Sequence, residues 1–211
     1  PVQHLDEPFA ALDAHLKSQL EQELLELFDT YDGSILYVSH DIDEAFRFCD
    51  RIAVVGEGHI REVGPTGQIV SHPRTLDTIK LSGCKNTSAA RQVGEGLVEA
   101  LDWGITLRTT DEIPADLAFV GLRAFYITSV DDPDAFDGVP ENIIPCVVDR
   151  ISDSRFERTV MVRPVNCAAE RFGQRIQWKV DKLAVPADSL PEKGDHVTLY
   201  FDPTKLYLVS E

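Results

Sequence analysis

Residues 4–13 read His-Leu-Asp-Glu-Pro-Phe-Ala-Ala-Leu-Asp, and this stretch decides how the first part of the chain is interpreted. Two adjacent carboxylates, Asp6 and Glu7, stand before a proline and directly ahead of a helical pattern. Residues 37–41 read Tyr-Val-Ser-His-Asp and place His40 at the end of a short apolar run. Two acids of different role and one histidine suit a site that handles a metal ion, a water molecule and a phosphate.

Apolar residues recur three and four positions apart after Asp13, which is a suitable N-cap, and predict an amphipathic helix that ends at residues 32–33. Residues 34–39 predict a buried strand with His40 at its carboxyl end, where open α/β sheets usually place ligand chemistry. Four charged residues of the helix are expected mostly on its solvent side: Lys17, Glu21, Glu23 and Glu26.

The next residues continue the alternation of helices and strands. Residues 41–49 predict a short helix, with Asp41, Asp43 and Glu44 as a favourable first turn. Residues 51–55 and 59–63 predict a hairpin around Gly56-Glu57-Gly58. A further short helix opens at residues 64–67. This order favours an α/β layer.

From residue 81 the sequence becomes small and polar, and we place a domain boundary there, giving domains 1–80 and 81–211. Beyond it the apolar period is two, with turn residues between short runs, which favours a small all-β barrel or sandwich. Nine strands are predicted: 96–100, 104–109, 117–122, 125–128, 143–151, 159–164, 175–183, 196–201 and 206–209.

Composition narrows the classes of partner. The chain has 211 residues and a formal net charge of −16, from 20 basic and 36 acidic residues. This charge argues against a nucleic-acid partner bound through its phosphates and against an anionic membrane surface. No apolar run reaches membrane-spanning length. The four cysteines show no tight metal-ligand spacing and are interpreted as free, packed thiols: Cys49, Cys84, Cys146 and Cys167.

The ordered motifs in residues 5–13 and 38–41, extended by residues 44–45, 50–54 and 58–64, closely resemble the ATP-binding subunit of ABC transporters. The resemblance implies roles for the residues that match. Asp6, the Walker B aspartate, would hold Mg²⁺ through water, and Glu7 would polarise the attacking water. His40 would contact the γ-phosphate. The D-loop residues Ala11, Leu12 and Asp13 would meet a partner subunit.

The chain also departs from that family. No G-x-x-x-x-G-K-[ST] phosphate loop occurs in these residues, and the usual Ser-Gly-Gly signature and most of the strand before Asp6 are missing. We therefore expect a piece of a longer ATPase. Alone, it is expected neither to bind ATP and Mg²⁺ tightly nor to turn ATP over.

A second resemblance covers residues 83–86, 120–123, 142–145 and 194–203. These are similar to the oligonucleotide-fold (OB)-like accessory modules of ABC import ATPases, termed TOBE or molybdate-binding-protein-like. The resemblance implies a domain that senses the solute, such as molybdate, or braces the ATPase dimer. Backbone N–H groups and hydroxyls grip such oxyanions. The candidate ligand cluster, for which a plain loop is the favoured interpretation, is Ser82, Lys85, Asn86, Thr87 and Ser88.

The predicted architecture is an α/β fragment, a partial ABC ATPase domain, followed by an all-β OB-like barrel accessory domain. The predicted function is the C-terminal part of an importer's ATP-binding protein that couples ATP hydrolysis to uptake of an oxyanion. Its expected partners are a second copy and a transmembrane permease, at the cytoplasmic face of the membrane. Two alternatives are a non-catalytic solute-sensing or dimerisation module and a stand-alone metal-dependent hydrolase using Asp6, Glu7 and His40.

Overall fold

The computed structural model describes residues 2–133, 136–165 and 175–210. The chain divides into two units, unit 1 (residues 1–71) and unit 2 (residues 72–211). This division lies nine residues before the boundary expected at residue 80. The difference arises because the helix that contains Ile79 belongs to unit 2, where Ile79 is fully buried with Cys84 and Val209.

Unit 1 begins with a strand, a helix and a second strand. Strand β1 (Val2–Asp6), helix α1 (Ala14–Thr30) and strand β2 (Ser34–Val38) follow in that order, and the two strands pair in parallel. The strand that ends at Asp6 has five residues. Asp13 caps α1 as predicted, because its carboxylate accepts the backbone N–H groups of His15 and Leu16, each at 3.0 Å.

The rest of unit 1 confirms the predicted elements. Helix α2 (Ile42–Phe48) precedes an antiparallel hairpin of β3 (Arg51–Gly56) and β4 (His59–Pro65), and α3 (Thr66–Ser71) follows. Positive φ angles at both residues of the hairpin turn, 51° at Glu57 and 78° at Gly58, match a type I′ turn. Unit 1 thus contains two separate two-stranded sheets.

The prediction that β2 is buried is wrong. Along β2, half-buried and exposed residues alternate, and Leu36 is 57% exposed. Parallel strands are usually covered on both faces, but in the described residues β2 has a single neighbouring strand. Aromatic rings supply its local packing: Tyr37, Phe9 and Phe28 all contact Phe48 of α2, with ring centroids 5.6–6.0 Å apart.

The predicted solvent side of α1 is also partly wrong. Glu21 is only 5% exposed, whereas Leu27, expected on the packed side, is 57% exposed. Glu21 forms a salt bridge with Arg47 of α2. The contact between α1 and α2 therefore includes buried charge, which a pattern of apolar residues does not reveal.

Unit 2 opens with helix α4 (Leu76–Leu81), which the sequence did not predict. Its described residues then form two five-stranded antiparallel sheets. The strands are β5 (Asn86–Gly94), β6 (Leu97–Ala100), β7 (Ile105–Arg108), β8 (Phe119–Leu122), β9 (Ile127–Ser129), β10 (Ile143–Asp153), β11 (Glu157–Pro164), β12 (Ile176–Asp181), β13 (His196–Phe201) and β14 (Tyr207–Val209). All nine predicted strands are present, and β5 is the strand that was missed.

The sheet orders are β14-β8-β5-β6-β7 and β12-β11-β10-β13-β9. One hydrophobic core takes residues from both sheets, including Leu107 and Leu122 from the first and Val160, Leu199 and Phe201 from the second. The expectation of a small barrel or sandwich is therefore confirmed at the level of a mostly β unit with a shared core. Gly121 lets α4 approach the first sheet closely, since a Cβ there would lie 3.1 Å from Ile79.

Two buried asparagines join the two sheets of unit 2. Asn86, on β5, donates to the carbonyl of Gln177 on β12 and accepts its backbone N–H, both at 2.7 Å. Asn142 accepts the N–H of Arg108 on β7 at 2.7 Å and donates to the carbonyls of Arg108 and Phe201 at 3.0 and 2.6 Å. Each side-chain amide thus substitutes for missing main-chain pairing between sheets.

Of the cysteines, Cys84 and Cys146 are buried, Cys49 is half-buried, and all three are free thiols. Burial raises the pKa of the Cys146 thiol to about 12, which makes it unreactive. Cys167 lies outside the described residues. No helix among the described residues is long and apolar enough to span a membrane.

Candidate functional site

The carboxyl ends of β1 and β2 lie at one edge of their parallel pair and bring the predicted site residues together. Asp6 is the last residue of β1 and is paired with Val38. The backbone N–H of Glu7 then donates to the carbonyl of Val38 at 2.9 Å, so the ladder continues for one more residue. His40 follows β2 by two residues and lies at the same edge.

Glu7 and His40 are in direct contact. Oε1 of Glu7 accepts the backbone N–H of His40 at 3.0 Å, and the ring nitrogen Nδ1 of His40 lies 2.9 and 2.7 Å from the two carboxylate oxygens. The ring itself is 80% exposed. The structure therefore brings these two predicted site residues together.

The pKa of His40 is raised above its ordinary value of 6.5, first by the hydrogen bond with Glu7 and then by the charge of that carboxylate. The folded state therefore binds the proton more tightly than the unfolded state does. The resulting stabilisation is fully present below the unfolded pKa and is lost as the pH rises through the raised folded pKa. The contact with Glu7 thus favours the cationic form of the ring.

Glu7 adopts an unusual backbone conformation, with a φ of +46°. Residues other than glycine rarely occupy this left-handed region, and such strain is concentrated at functional sites. The conformation is held on one side by the bond from the N–H of Glu7 to Val38. On the other side a turn holds it, in which the N–H of Ala10 donates to the carbonyl of Glu7 at 3.2 Å.

Asp6 is the candidate metal ligand, and its side chain is exposed beside Glu7. No group of three or more His, Cys, Asp or Glu residues in the described parts of the chain lies close enough to hold a metal ion. This donor set fits Mg²⁺, which is typically held by one or two carboxylates together with waters and substrate phosphates. It does not fit a closed metal site built from protein ligands, as the stand-alone hydrolase would need.

The predicted D-loop residues, Ala11, Leu12 and Asp13, lie between the Glu7 turn and α1. Ala11 is exposed and Leu12 is half-buried. The carboxylate of Asp13 is already engaged as the cap of α1. These residues are on the surface, as contact with a partner would require, but Asp13 would bring little free charge to it.

A buried carboxylate near this site was missed by the sequence reasoning. The sequence places Glu44 in a favourable first turn of α2 but does not indicate its burial, and it is only 4% exposed. Its Oε2 accepts the hydroxyls of Tyr37 at 2.8 Å and Ser39 at 2.7 Å, and its Oε1 lies 2.6 Å from Nζ of Lys17. The predicted first turn itself is confirmed, since Asp41 caps α2 by accepting the N–H of Asp43 at 2.9 Å, and Asp43 and Glu44 lie in that turn.

Burial pushes the pKa of Glu44 upward, but hydrogen bonds from Lys17, Ser39 and Tyr37 outweigh it, so the net pKa lies below its ordinary value. Hydrogen bonds to Glu44 and then Asp41 raise the pKa of Lys17. Both groups therefore stay charged at neutral pH. No local signal reveals this network, because its members come from α1, β2 and α2.

The second candidate cluster does not converge on one point. Its five residues are Ser82, Lys85, Asn86, Thr87 and Ser88. Asn86, Thr87 and Ser88 begin strand β5, so the plain-loop alternative is wrong for them. Three of the five are buried and satisfied within the chain. The hydroxyl of Ser82 donates to the carbonyl of Ile79, that of Ser88 donates to Ala89, and the Asn86 amide is used on Gln177. Lys85 is exposed.

Unit 2 also has a cleft of about 470 Å³ that the sequence did not indicate. Its lining includes the apolar residues Trp178 and Val180 together with three aspartates, Asp131, Asp188 and Asp195. Among the described residues, no lysine or arginine lines it. This charge is unfavourable for an oxyanion, because like charges repel in a partly desolvated cleft.

No protein-family model matches the chain. It is similar to the Fe(3+) ions import ATP-binding protein FbpC of Haemophilus influenzae (strain 86-028NP), with 39% identity over 79 residues, 37% of this chain and 22% of that protein. It is also similar to the spermidine/putrescine import ATP-binding protein PotA of Bacillus anthracis, with 35% identity over 108 residues, 51% of this chain and 32% of that protein. The chain thus spans less than a third of the length of these relatives.

Among solved structures, the chain is similar to the cytoplasmic molybdate-binding protein ModG with molybdate bound. The TM-score is 0.46 at 15% identity, with 59% of this chain and 95% of that chain covered.

The sequence relatives lead to one conclusion: over part of its length, this chain has homologues among the ATP-binding proteins of ABC importers.

Proposed function

We propose that this chain is part of the ATP-binding protein of an ABC importer, and that residues 1–80 supply the magnesium-and-water end of its ATP site. The observation that carries the proposal is the contact between Glu7 and His40 at the carboxyl edge of the parallel strands. The proposal also agrees with the similarity of this chain to import ATP-binding proteins. The fold proposed for this part is a partial ABC ATPase domain.

In the proposed mechanism, each residue has a distinct role. Asp6 would hold Mg²⁺ through water, and the ion would supply charge neutralisation at the phosphates. Glu7 would orient and polarise the attacking water as its general base. His40, whose cationic form is favoured by Glu7, would stabilise the negative charge that develops on the γ-phosphate. The chain's own contribution is thus positioning and electrostatics, as is usual in phosphoryl transfer.

The proposal extends to partners and location. A second copy of the protein would complete the nucleotide site across Ala11, Leu12 and Asp13. A transmembrane permease would hold the dimer at the cytoplasmic face of the membrane. The net charge of −16 supports the absence of nucleic acid among the partners. Unit 2 would be an OB-like, TOBE-type accessory domain.

A chimera tests the catalytic proposal. The 79 residues of the Haemophilus influenzae relative that align with this chain are replaced by the residues of this chain, so that the relative supplies the rest of the ATP site. We expect the chimera to fold and to hydrolyse MgATP. A folded chimera without MgATP hydrolysis would instead favour a non-catalytic solute-sensing or dimerisation role.

The proposed solute is an oxyanion such as molybdate, which rests on the resemblance of residues 83–86, 120–123, 142–145 and 194–203 to molybdate-type accessory domains. We propose that unit 2 braces the ATPase dimer, because Ser82, Asn86 and Ser88 are buried and satisfied. Calorimetric titration with molybdate, tungstate or sulfate should therefore give no binding heat. Heat that Lys85→Ala abolishes would contradict this and support sensing by the cluster.

A further inference from the structure

The carboxylate of Glu44 is hydrogen-bonded to residues that precede His40. It accepts hydrogen bonds from Tyr37 at 2.8 Å and from Ser39 at 2.7 Å, and it is almost fully buried. Ser39 is the residue immediately before His40, so a buried charge fixes the amino-terminal flank of the exposed histidine.

The ammonium group of Lys17 is hydrogen-bonded to the residue that follows His40. Its Nζ donates to Oδ2 of Asp41, the residue after His40, at 2.9 Å, and lies 2.6 Å from Glu44. The two flanks are also joined to each other, because the backbone N–H of Asp41 donates to the hydroxyl of Ser39 at 3.0 Å. One ion pair, in which Lys17 comes from α1 and Glu44 from α2, thus frames His40 on both sides.

We propose that the Lys17–Glu44 ion pair is a positioning element that fixes residues 39–41 so that His40 keeps its contact with Glu7. A buried ion pair is weak evidence of stability alone, since well-packed apolar residues often do as well. Its hydrogen bonds, however, go to both neighbours of His40, where apolar replacements could not hold the segment. The inference rests on the proposed function only for the role of His40 toward phosphate.

The ring titration of His40 tests the proposal in the full 211-residue chain. It is followed by ¹⁵N NMR and assigned with a His40→Gln variant. A Glu7→Gln variant gives the titration midpoint that His40 has without its carboxylate partner. In Lys17→Met we expect the midpoint to fall toward that value, by about half a pH unit or more. Loss of a nearby cation by itself would raise the midpoint. The direction of the shift therefore separates positioning from simple charge removal.

Two variants complete the test. Ser39→Ala removes the bridging hydroxyl without changing any charge and should also lower the His40 midpoint, whereas Lys17→Arg should preserve it. Arg91→Met breaks an exposed ion pair with Glu99 in unit 2 and should change nothing at His40. If Lys17→Met does not fold, Ser39→Ala decides alone.

The proposal would be overturned if the His40 titration midpoint were unchanged or raised in both Lys17→Met and Ser39→Ala, or in whichever of the two folds. A fall in the midpoint with unchanged amide signals elsewhere in unit 1 supports it. Because the titration involves no nucleotide, its result is independent of whether the chimera hydrolyses ATP.

Discussion

Glu7→Gln should lower MgATP turnover by the chimera about 10²–10³-fold, because a positioned general base contributes on the order of 10²–10⁴ to the rate. Glutamine keeps the size of the side chain and one acceptor oxygen but removes the negative charge that polarises the water. The substitution also removes the carboxylate beside His40, whose ring lies 2.7 Å from it. The measurement is the steady-state rate of phosphate release at saturating MgATP.

Glu57→Gln is the matched control for this prediction. Glu57 is a glutamate of the same unit with a comparable positive φ of 51°, but it lies in the exposed hairpin turn. The Glu57→Gln substitution should leave MgATP turnover by the chimera unchanged. Equal rates for the Glu7→Gln chimera and its parent would remove Glu7 from the catalytic role and leave it as a structural partner of His40.

Asn142→Ala should destabilise unit 2 by about 3 kcal/mol or more. The substitution leaves the N–H and carbonyl of Arg108 and the carbonyl of Phe201 without their partner. Each buried polar group left unsatisfied costs roughly 1–3 kcal/mol. Urea unfolding followed by tryptophan fluorescence measures this directly, because both tryptophans, Trp103 and Trp178, are buried in unit 2.

Asn86→Asp provides a second, nearly isosteric test of the bridges between the sheets. It places a carboxylate oxygen where the amide now donates to Gln177, and repulsion should also destabilise unit 2. Gln92→Ala, at an exposed position on the same strand, should change the free energy of unfolding by less than about 0.5 kcal/mol. A loss below about 1 kcal/mol for Asn142→Ala would show that the asparagines do not hold the sheets together.

Local signals were enough to predict most elements of the chain. Asp13 supplies an N-cap, Gly58 supplies a turn residue with positive φ, and both mark boundaries that the structure confirms. The approach of Glu7 to His40 was also predictable, because the carboxyl ends of parallel strands meet at one edge. These features depend on residues close in sequence or on a single strand pairing.

What was missed depends on contacts between distant residues. β5 starts with small polar residues of modest strand propensity. Asn86 among them is buried, and its amide donates to the carbonyl of Gln177, 91 residues away. The burial of Glu44 depends in the same way on Lys17 of α1, which lies 27 positions earlier in the chain and 2.6 Å from it. The exposure of β2 depends on how many strands flank it, which its own apolar residues cannot specify.

The central claim is that the Asp6, Glu7 and His40 edge is the magnesium-and-water end of an importer's ATP site. The most direct measurement is MgATP hydrolysis by the chimera with this chain's own residues at those positions. The account predicts turnover within about tenfold of the relative, a barrier difference of about 1.4 kcal/mol. A folded chimera that hydrolyses MgATP no faster than its Glu7→Gln variant would contradict it.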